Sequence, residues 1–418
     1  MNSRTAERRN ELPFSSCKNH RLSPTAVILL QFLLMDDDIR QLVQAVHDSP
    51  YRLVLVTAGA GTQALSDLLG VAGASRTMLE AIVPYSEASF DEFLGRKPPQ
   101  YVSVETAHFL AGRAFTRARW LEAEGYPTLG LACTATIVTD RPKRGEHRAH
   151  IAVWQRRWLT SYNLHLQKGA RDRRGEESLV SRVMLNAVAR AIGLEMQLEL
   201  SLLPDDELAI EVIDFSHSAR ELHEDQWDCF GIEADGRLLT AAEHPPILLS
   251  GSFHPLHEGH LGMAQAASDL LGQPAGFELS AVNVDKPPLP PETVLERLAQ
   301  FAGRYIVFAS NAPTFVEKAR LYEGVTFVVG YDTAVRILHP RYYEDSEASM
   351  LAALAEIRAC KGRFLVAGRA DENGTFHHLE DMTIPTAVRD LFHPLPPDRF
   401  RRDISSTELR IKGLRGSR

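Results

Sequence analysis

The chain has 418 residues, with a hydrophobic fraction of 44% and a charged fraction of 24%. These values are typical of globular proteins, and the length predicts two or three domains. A formal net charge of −8 argues against a general nucleic-acid-binding protein. The four cysteines lie far apart and none has the spacing of a metal site, so we expect no disulfide framework and a reducing, cytoplasmic environment.

The first 35 residues differ from the rest of the chain. Residues 1–25 are polar and basic, and an apolar run at 26–35 follows them. The run is too short to span a bilayer. It leads directly into three aspartates, without the small-residue cleavage site of a signal peptide. We therefore expect a disordered extension, or an over-called start with Met35 as the real one. An organelle-targeting segment is the alternative.

From residue 36 to about 195, strand-like runs alternate with helical patterns. This alternation predicts an α/β domain in which helices cover a sheet. The predicted strands lie at 52–59, 78–86, 128–138 and 148–154, and the longest predicted helix covers 104–125. A linking segment at 196–245 contains one further predicted strand, at 208–215.

A second α/β region follows the proline pair at 245–246 and extends to residue 413. The apolar run at 247–249 predicts a buried strand, and a helical pattern begins after His260. His257 and His260 therefore fall where a strand passes into a helix. Free backbone N–H groups and the helix dipole favour an anion there, and the imidazoles can donate hydrogen bonds to it. Gly259 lets a phosphate approach the backbone closely.

Two other interpretations of these histidines remain. They could be exposed side chains on a turn, without a ligand. They could also hold zinc through a His-x-x-His spacing. The zinc hypothesis is weaker, because the pattern lacks the i,i+4 pair of helical zinc sites and any obvious further ligand.

A second predicted phosphate site lies near the C-terminus, at 403–413. Ser405 followed by Glu408 fits a capping box, which predicts the start of a helix. The hydroxyls of Ser406 and Thr407 would join the backbone N–H groups there, and Arg410 would reach the same anion with a forked guanidinium. An ordinary capped helix is the alternative.

The region 246–413 resembles the HxGH nucleotidylyltransferase superfamily, and most of all nicotinamide mononucleotide adenylyltransferases. The motifs that carry the resemblance are GSFHPLHEGH at 251–260 and ISSTELR at 404–410, with weaker similarity at 326–338 and 363–369. The resemblance implies a Rossmann-like fold with a parallel sheet. It also implies transfer of an adenylyl group from ATP to nicotinamide mononucleotide or its deamidated form.

The resemblance also implies roles for individual residues. Catalytic roles would belong to His257, His260 and Arg410. Nucleotide-binding roles would belong to Gly251, Ser252, Phe253, His254, Gly259, Asp332, Ser406 and Thr407. Mg²⁺ would accompany ATP, largely coordinated by water, without a metal site on the protein. His254 departs from the family, which more often has Asn or Asp at this position.

Two alternative functions stay open for this region. One is adenylyl or cytidylyl transfer to another phosphorylated acceptor, such as phosphopantetheine. The other is a non-catalytic regulator that binds nucleotides. The expected partners are ATP and a small nucleotide acceptor, and neither a nucleic acid nor a membrane.

Residues 52–195 resemble the CinA C-terminal domain, the family of nicotinamide-nucleotide amidases. The stretches that carry this resemblance are 56–75, 82–89, 101–114 and 129–138. Ala58 stands at the family's nucleophilic serine and Phe90 at its lysine, so amidase chemistry by that route is excluded. We expect a catalytically silent domain that binds pyridine nucleotide or mediates homo-oligomerisation.

The stretch Gly59-Ala60-Gly61-Thr62-Gln63-Ala64 in this region also fits a dinucleotide-binding fingerprint. Such a site needs an acidic residue about 20 residues further on, and Glu80 is near that distance. We favour the CinA-like interpretation of the same residues.

Overall fold

The computed structural model describes residues 37–141, 144–284, 287–371 and 374–401. The predicted extension at 1–35 and the ISSTELR motif at 404–410 lie outside the described residues. Within the described ranges the chain forms two sheets with helices on their faces, which confirms the predicted α/β class.

The first sheet has the strand order β2-β1-β3-β4-β5-β6. Strands β1, β2 and β3 are parallel, and β3 to β6 pair antiparallel. The elements are α1 (37–48), β1 (Arg52–Ala58), α2 (Thr62–Gly70), β2 (Met78–Ile82), α3 (Glu87–Leu94), α4 (Val104–Leu121), β3 (Thr128–Thr136), β4 (His147–Trp154), β5 (Trp158–Leu166), α5 (Arg173–Ala191) and β6 (Glu207–Asp214).

Local sequence explains where these elements begin and end. The Ser103 side chain accepts a hydrogen bond from the Thr106 N–H and so caps α4, and the Asp172 side chain caps α5 in the same way. Strand β2 stops at Ile82, shorter than predicted, and Pro84 follows, which has no N–H for the ladder.

The second sheet has the order β16-β13-β12-β9-β10-β11-β7-β8. The elements are α6 (Phe215–His223), β7 (Cys229–Ile232), β8 (Leu238–Leu239), β9 (Ile247–Gly251), α7 (Glu258–Leu271), β10 (Ala275–Ser280), α8 (Pro291–Leu298), β11 (Val307–Ser310), α9 (Phe315–Leu321), β12 (Thr326–Gly330), α10 (Tyr331–Ile337), α11 (Glu347–Ala359), β13 (Arg363–Ala367) and β16 (Phe392–Leu395). A separate small hairpin consists of β14 (Arg369–Ala370) and β15 (Phe376–His377).

Six neighbouring strands of this sheet run parallel, namely β16, β13, β12, β9, β10 and β11. At one edge, β7 pairs antiparallel with β11 and β8 pairs antiparallel with β7. The parallel sheet expected for 246–413 is therefore confirmed. The antiparallel strands β7 and β8 come from the segment before it and form a hairpin, which needs only the short turn around Gly236 (φ 89°) and no crossover helix. The segment 196–245 thus supplies β6 to the first sheet and this hairpin to the second.

The order of the parallel strands reverses at β9. The chain continues from β9 to β10 and β11 on one side, then returns to β12, β13 and β16 on the other. Ligands of such sheets bind in the crevice outside the carboxyl ends of the strands, where the order reverses. The histidines that follow β9 lie at that point.

One apolar core runs through both domains. The same cluster contains Phe115 of α4 in the first domain and Leu295, Phe301 and Phe253 of the second. Two further clusters fill the opposite face of each sheet. The domains therefore share buried surface and do not meet only through polar contacts.

Two glycines allow this close contact between the domains. A Cβ atom added to Gly112 in α4 would lie 2.4 Å from the backbone nitrogen of Gly303, and Gly303 itself has a φ of 71°. Real Cβ atoms do not approach a backbone atom so closely, so any larger residue at position 112 must push the two domains apart.

We expect Gly112→Ala to lower the free energy of unfolding by about 1–3 kcal/mol, because the new methyl group overpacks the domain contact. Urea denaturation measures the change. Gly70→Ala is the matched control, since a Cβ there meets nothing within 4 Å. Equal stability of the two variants would contradict a tight contact at Gly112.

Candidate functional site

The site begins where β9 ends. Residues 247–249 are buried, and the chain leaves the sheet at Gly251. Phe253 then adopts a φ of 43°, and its fully buried ring packs edge-on against Phe277 and Phe301 at centroid distances of 5.6 and 5.2 Å. A left-handed backbone at a phenylalanine is unfavourable, so the burial of its ring holds this turn in place.

Helix α7 begins directly after His257, which is its N-cap residue. The rings of His257 and His260 stack at a centroid distance of 3.7 Å and an interplanar angle of 23°. The Gly259 N–H donates to Nδ1 of His257 at 3.2 Å, and the His257 N–H donates to Nδ1 of His260 at 3.3 Å. The strand–helix junction and its two histidines are therefore arranged as the sequence predicted.

These two hydrogen bonds determine the tautomers of the neutral rings. An Nδ1 atom that accepts from a backbone N–H carries no proton, so the proton of each neutral imidazole is on Nε2. Both rings thus offer an N–H donor on the side away from the backbone. Two adjacent N–H donors at a helix N-terminus favour an anionic ligand.

Burial lowers the pKa of His257, and burial together with the neighbouring His257 lowers the pKa of His260 to about 3. Both rings are consequently neutral in the ligand-free protein near pH 7. A bound phosphate would favour their charged forms, because an opposite charge raises the pKa of an imidazole.

The remaining predicted residues of this motif surround the pair. Gly251 ends β9, and a Cβ there would lie 3.0 Å from the Phe253 ring. Ser252 and His254 are exposed, whereas Gly259 is buried in the first turn of α7. The turn contains a cis peptide bond between His254 and Pro255. All four lie within the strand–helix junction.

Asp332 lies in the first turn of α10, after β12 and therefore at the same edge of the sheet. Its carboxylate forms an ion pair with Arg369, which follows β13, and about half of each side chain is exposed. The neighbouring Tyr331 ring stacks on His377 at 5.3 Å. Asp332 is thus at the predicted edge but already has a cationic partner, so a ligand contact would compete with Arg369.

The second predicted phosphate site lies in the segment 403–413. Ser406, Thr407 and Arg410 lie outside the described residues. Their approach to the histidine pair stays a prediction.

Sequence reasoning missed two residues that hold the turn. The Gln300 side chain accepts from the Leu256 N–H at 2.8 Å and donates to the Phe253 carbonyl at 2.9 Å. Arg297 donates to the Ser252 carbonyl at 3.1 Å. No motif marks either residue, because each binds backbone atoms more than forty residues away in the sequence.

A buried ion pair lies under the neighbouring strands. Lys318 of α9 contacts Glu278 of β10 at 2.5 Å and donates to Ser280 at 2.8 Å, and Ser310 donates to the same carboxylate at 2.6 Å. Each charge is compensated, which is the condition for keeping such groups inside a protein. The pair therefore serves the fold between β10, β11 and α9.

Ala58 and Phe90 occupy the positions that the resemblance assigned to the amidase serine and lysine. Ala58 ends β1, and the buried Phe90 ring packs edge-on against Tyr101 at 5.2 Å. Neither side chain can act as a nucleophile or a base.

The glycine-rich turn of the first domain is not an open anion site either. The carboxylate of Glu177 accepts hydrogen bonds from the backbone N–H groups of Gly61 and Gln63 and from the Thr62 hydroxyl, each at 3.0 Å. Glu80 is bound to Arg117 by two hydrogen bonds, of 2.8 and 3.1 Å. The dinucleotide fingerprint therefore has its helix N-terminus and its acidic residue already occupied.

The described ranges contain no group of three His, Cys, Asp or Glu side chains arranged to hold a metal ion. No helix in the part of the chain that the structure describes is long and apolar enough to cross a membrane.

The lowered pKa of His260 predicts a pH dependence of stability. The unfolded chain binds a proton at this residue below about pH 6.5, whereas the folded protein takes it up only near pH 3. The free energy of unfolding should therefore fall as the pH drops below about 6.5, with a slope of up to about 1.4 kcal/mol per pH unit from this residue.

His260→Gln should remove this component of the slope, because glutamine does not titrate. Urea denaturation at a series of pH values measures it. His393→Gln, at an exposed position of β16, is the control and should keep the wild-type slope. The same slope in wild type and His260→Gln would contradict a half-buried, neutral His260.

Known proteins are similar to parts of this chain. No family model matches the chain. A protein of Schizosaccharomyces pombe named "Putative nicotinamide mononucleotide adenylyltransferase" is 30% identical in an alignment of 139 positions, and the match covers 29% of this chain and 53% of that protein. The chain thus spans about half the length of the curated relative that it matches.

Solved structures of the CinA superfamily are among the structural neighbours. A competence/damage inducible protein, CihA, from Agrobacterium tumefaciens is 20% identical, with a TM-score of 0.30, and the match covers 37% of this chain and 94% of that one. A CinA superfamily protein from Escherichia coli is 17% identical, with a TM-score of 0.28, and the match covers 42% and 94%. The chain therefore resembles a nicotinamide mononucleotide adenylyltransferase in part of its sequence and has CinA superfamily proteins among its structural neighbours.

Proposed function

We propose that the second domain transfers the adenylyl group of ATP to nicotinamide mononucleotide or its deamidated form, giving an NAD-type dinucleotide and pyrophosphate. The observation that carries this proposal is the stacked histidine pair, whose Nε2 atoms are donors at the N-terminus of α7. The pair lies at the carboxyl end of β9, where the strand order reverses. The partial identity to the fission-yeast relative supports the same class of reaction.

The reaction needs no nucleophile from the protein. An oxygen of the acceptor's 5′-phosphate forms a bond to the α-phosphorus of ATP. The bond from the α-phosphorus to the oxygen that bridges it to the β-phosphorus breaks, and pyrophosphate leaves with that electron pair. The contribution of the protein is positioning and charge stabilisation. His257 and His260 donate to the phosphate oxygens on which negative charge increases in the transition state.

The other residues of the junction bind and orient the nucleotide. Gly251 and Ser252 present backbone groups at the end of β9, and Gly259 gives the phosphates access to the first turn of α7. In this proposal Ser406, Thr407 and Arg410 hold the outer phosphates from the second chain segment. Asp332 contacts the sugar or base after exchanging its partner Arg369.

Mg²⁺ enters as part of the ATP substrate and neutralises its triphosphate. In this proposal the ion is held mainly by phosphate oxygens and water.

Purified protein with ATP, Mg²⁺ and nicotinamide mononucleotide should release pyrophosphate and form a dinucleotide in equal amounts. We expect His260→Ala to lower kcat by about 10²- to 10³-fold, because one donor to the developing charge is lost. Chromatography of the products and a pyrophosphate assay measure both.

His393→Ala is the control and should keep the wild-type rate. A panel that includes the deamidated mononucleotide, phosphopantetheine and CTP in place of ATP identifies the acceptor and the donor. Faster turnover with phosphopantetheine or CTP would replace the proposed substrates. ATP binding without turnover on any acceptor would instead indicate a regulator.

A further inference from the structure

We propose that the first domain positions the turn at 252–257, and that α8 couples this turn to the first domain. The turn is here called the HxGH loop because it leads into the HxGH motif at 257–260. The proposal assigns a role to a domain that has no nucleophile of its own. Its activity readout rests on the proposed adenylyl transfer, whereas its structural readout does not. The contacts on the two sides of α8 lead to it.

One side of α8, together with the residues that follow the helix, contacts the HxGH loop. Arg297 in the last turn of α8 donates to the Ser252 carbonyl, and Gln300, just beyond the helix, bonds the Phe253 carbonyl and the Leu256 N–H. Three backbone groups of the loop thus depend on two side chains of this segment. The last of them is one residue before His257, whose own N–H fixes the tautomer of His260.

The other side of α8 holds the first domain. Glu296 contacts Arg119 of α4 at 2.5 Å and Arg156 of the turn between β4 and β5 at 3.3 Å. Glu292, one helical turn earlier, contacts Arg157 at 2.6 Å and Arg156 at 3.1 Å. Two carboxylates at i and i+4 on the second domain therefore face three guanidinium groups of the first.

Apolar packing stiffens the connection between these two sides. Leu295 and Leu298 of α8 are buried in the core that both domains share. Phe301 follows the helix and packs on Phe253 of the loop, while Gly303 contacts Gly112 of the first domain. The loop, α8 and α4 are consequently linked by a shared apolar cluster and by ion pairs.

The connection between the HxGH loop and the first domain affects the reaction, because the rate of in-line transfer depends on the positions of the catalytic groups. A displacement of about 1 Å of a catalytic group can cost about 10²-fold in rate. The imidazole of His257 follows the loop without any intervening flexible segment. An ordered first domain therefore keeps the donor pair where an α-phosphorus would react.

The first test replaces Gln300 by Met, which keeps the length of the side chain and removes both hydrogen bonds. We expect the amide hydrogens of the segment 253–260 to exchange about tenfold faster, because the Leu256 N–H loses its acceptor. We also expect kcat to fall by about tenfold or more while KM for ATP changes less. Gln265→Met, at an exposed position of α7 where the side chain bonds only Asp269, is the matched control.

The second test addresses the first domain itself. Glu296→Lys places a positive charge against Arg119 and Arg156, so exchange in the segment 253–260 should rise and kcat should fall. Arg119→Glu combined with Glu296→Lys restores an opposite-charge pair and should bring both quantities back toward wild type. Glu323→Lys, which breaks the exposed pair with Lys361, is the control.

The two readouts separate the proposals. A wild-type protein that transfers no nucleotide to any acceptor overturns the proposed function, and the exchange rates still decide the positioning role. Unchanged loop exchange in both Gln300→Met and Glu296→Lys overturns the positioning role, whatever the activity. Failure of the charge reversal to rescue either quantity overturns the part assigned to the first domain.

Discussion

The candidate site depends on two hydrogen bonds from the backbone to imidazole nitrogens. Because the N–H groups of Gly259 and His257 occupy the Nδ1 atoms, the neutral rings of His257 and His260 can only donate outward. The polarity of the site therefore comes from the geometry of the strand–helix junction and not from a fixed positive charge. This makes the conformation of the preceding turn decisive, and explains why a buried phenylalanine and two side chains from another element hold it.

Much of this arrangement could be predicted from the sequence, because its signals are local. The apolar run at 247–249 and the helical pattern after His260 place the histidines at a junction, and the edge of the sheet follows from the α/β alternation. The strand predicted at 208–215 is present as β6.

What could not be predicted depends on contacts between distant segments. Nothing near Gln300 indicates that its amide binds the turn at 253–256, and nothing near Asp332 indicates that Arg369 neutralises it. The antiparallel edge formed by β7 and β8 is also missed, because β8 has only two residues and carries no alternating pattern. The apolar core shared by the two domains could not be predicted for the same reason. Periodicity shows which face of an element is buried, but not which other element covers that face.

In the first domain, a carboxylate of the same chain occupies the N-terminus of α2. The glycine-rich turn presents N–H groups at the start of α2, but Glu177 provides the anion from within the chain. An incoming phosphate would have to displace a covalently tethered competitor and would meet its charge. The nearby side chains of Ala58 and Phe90 add neither a nucleophile nor a base.

The apolar core shared by both halves affects how the chain unfolds and how it aggregates. A chain cut between the two halves would uncover the apolar surfaces of α4 and α8 together, and exposed patches of that kind promote aggregation. Neither half is thus an independent module in the usual sense, and unfolding should proceed as a single cooperative event. The two halves therefore form one obligate folding unit.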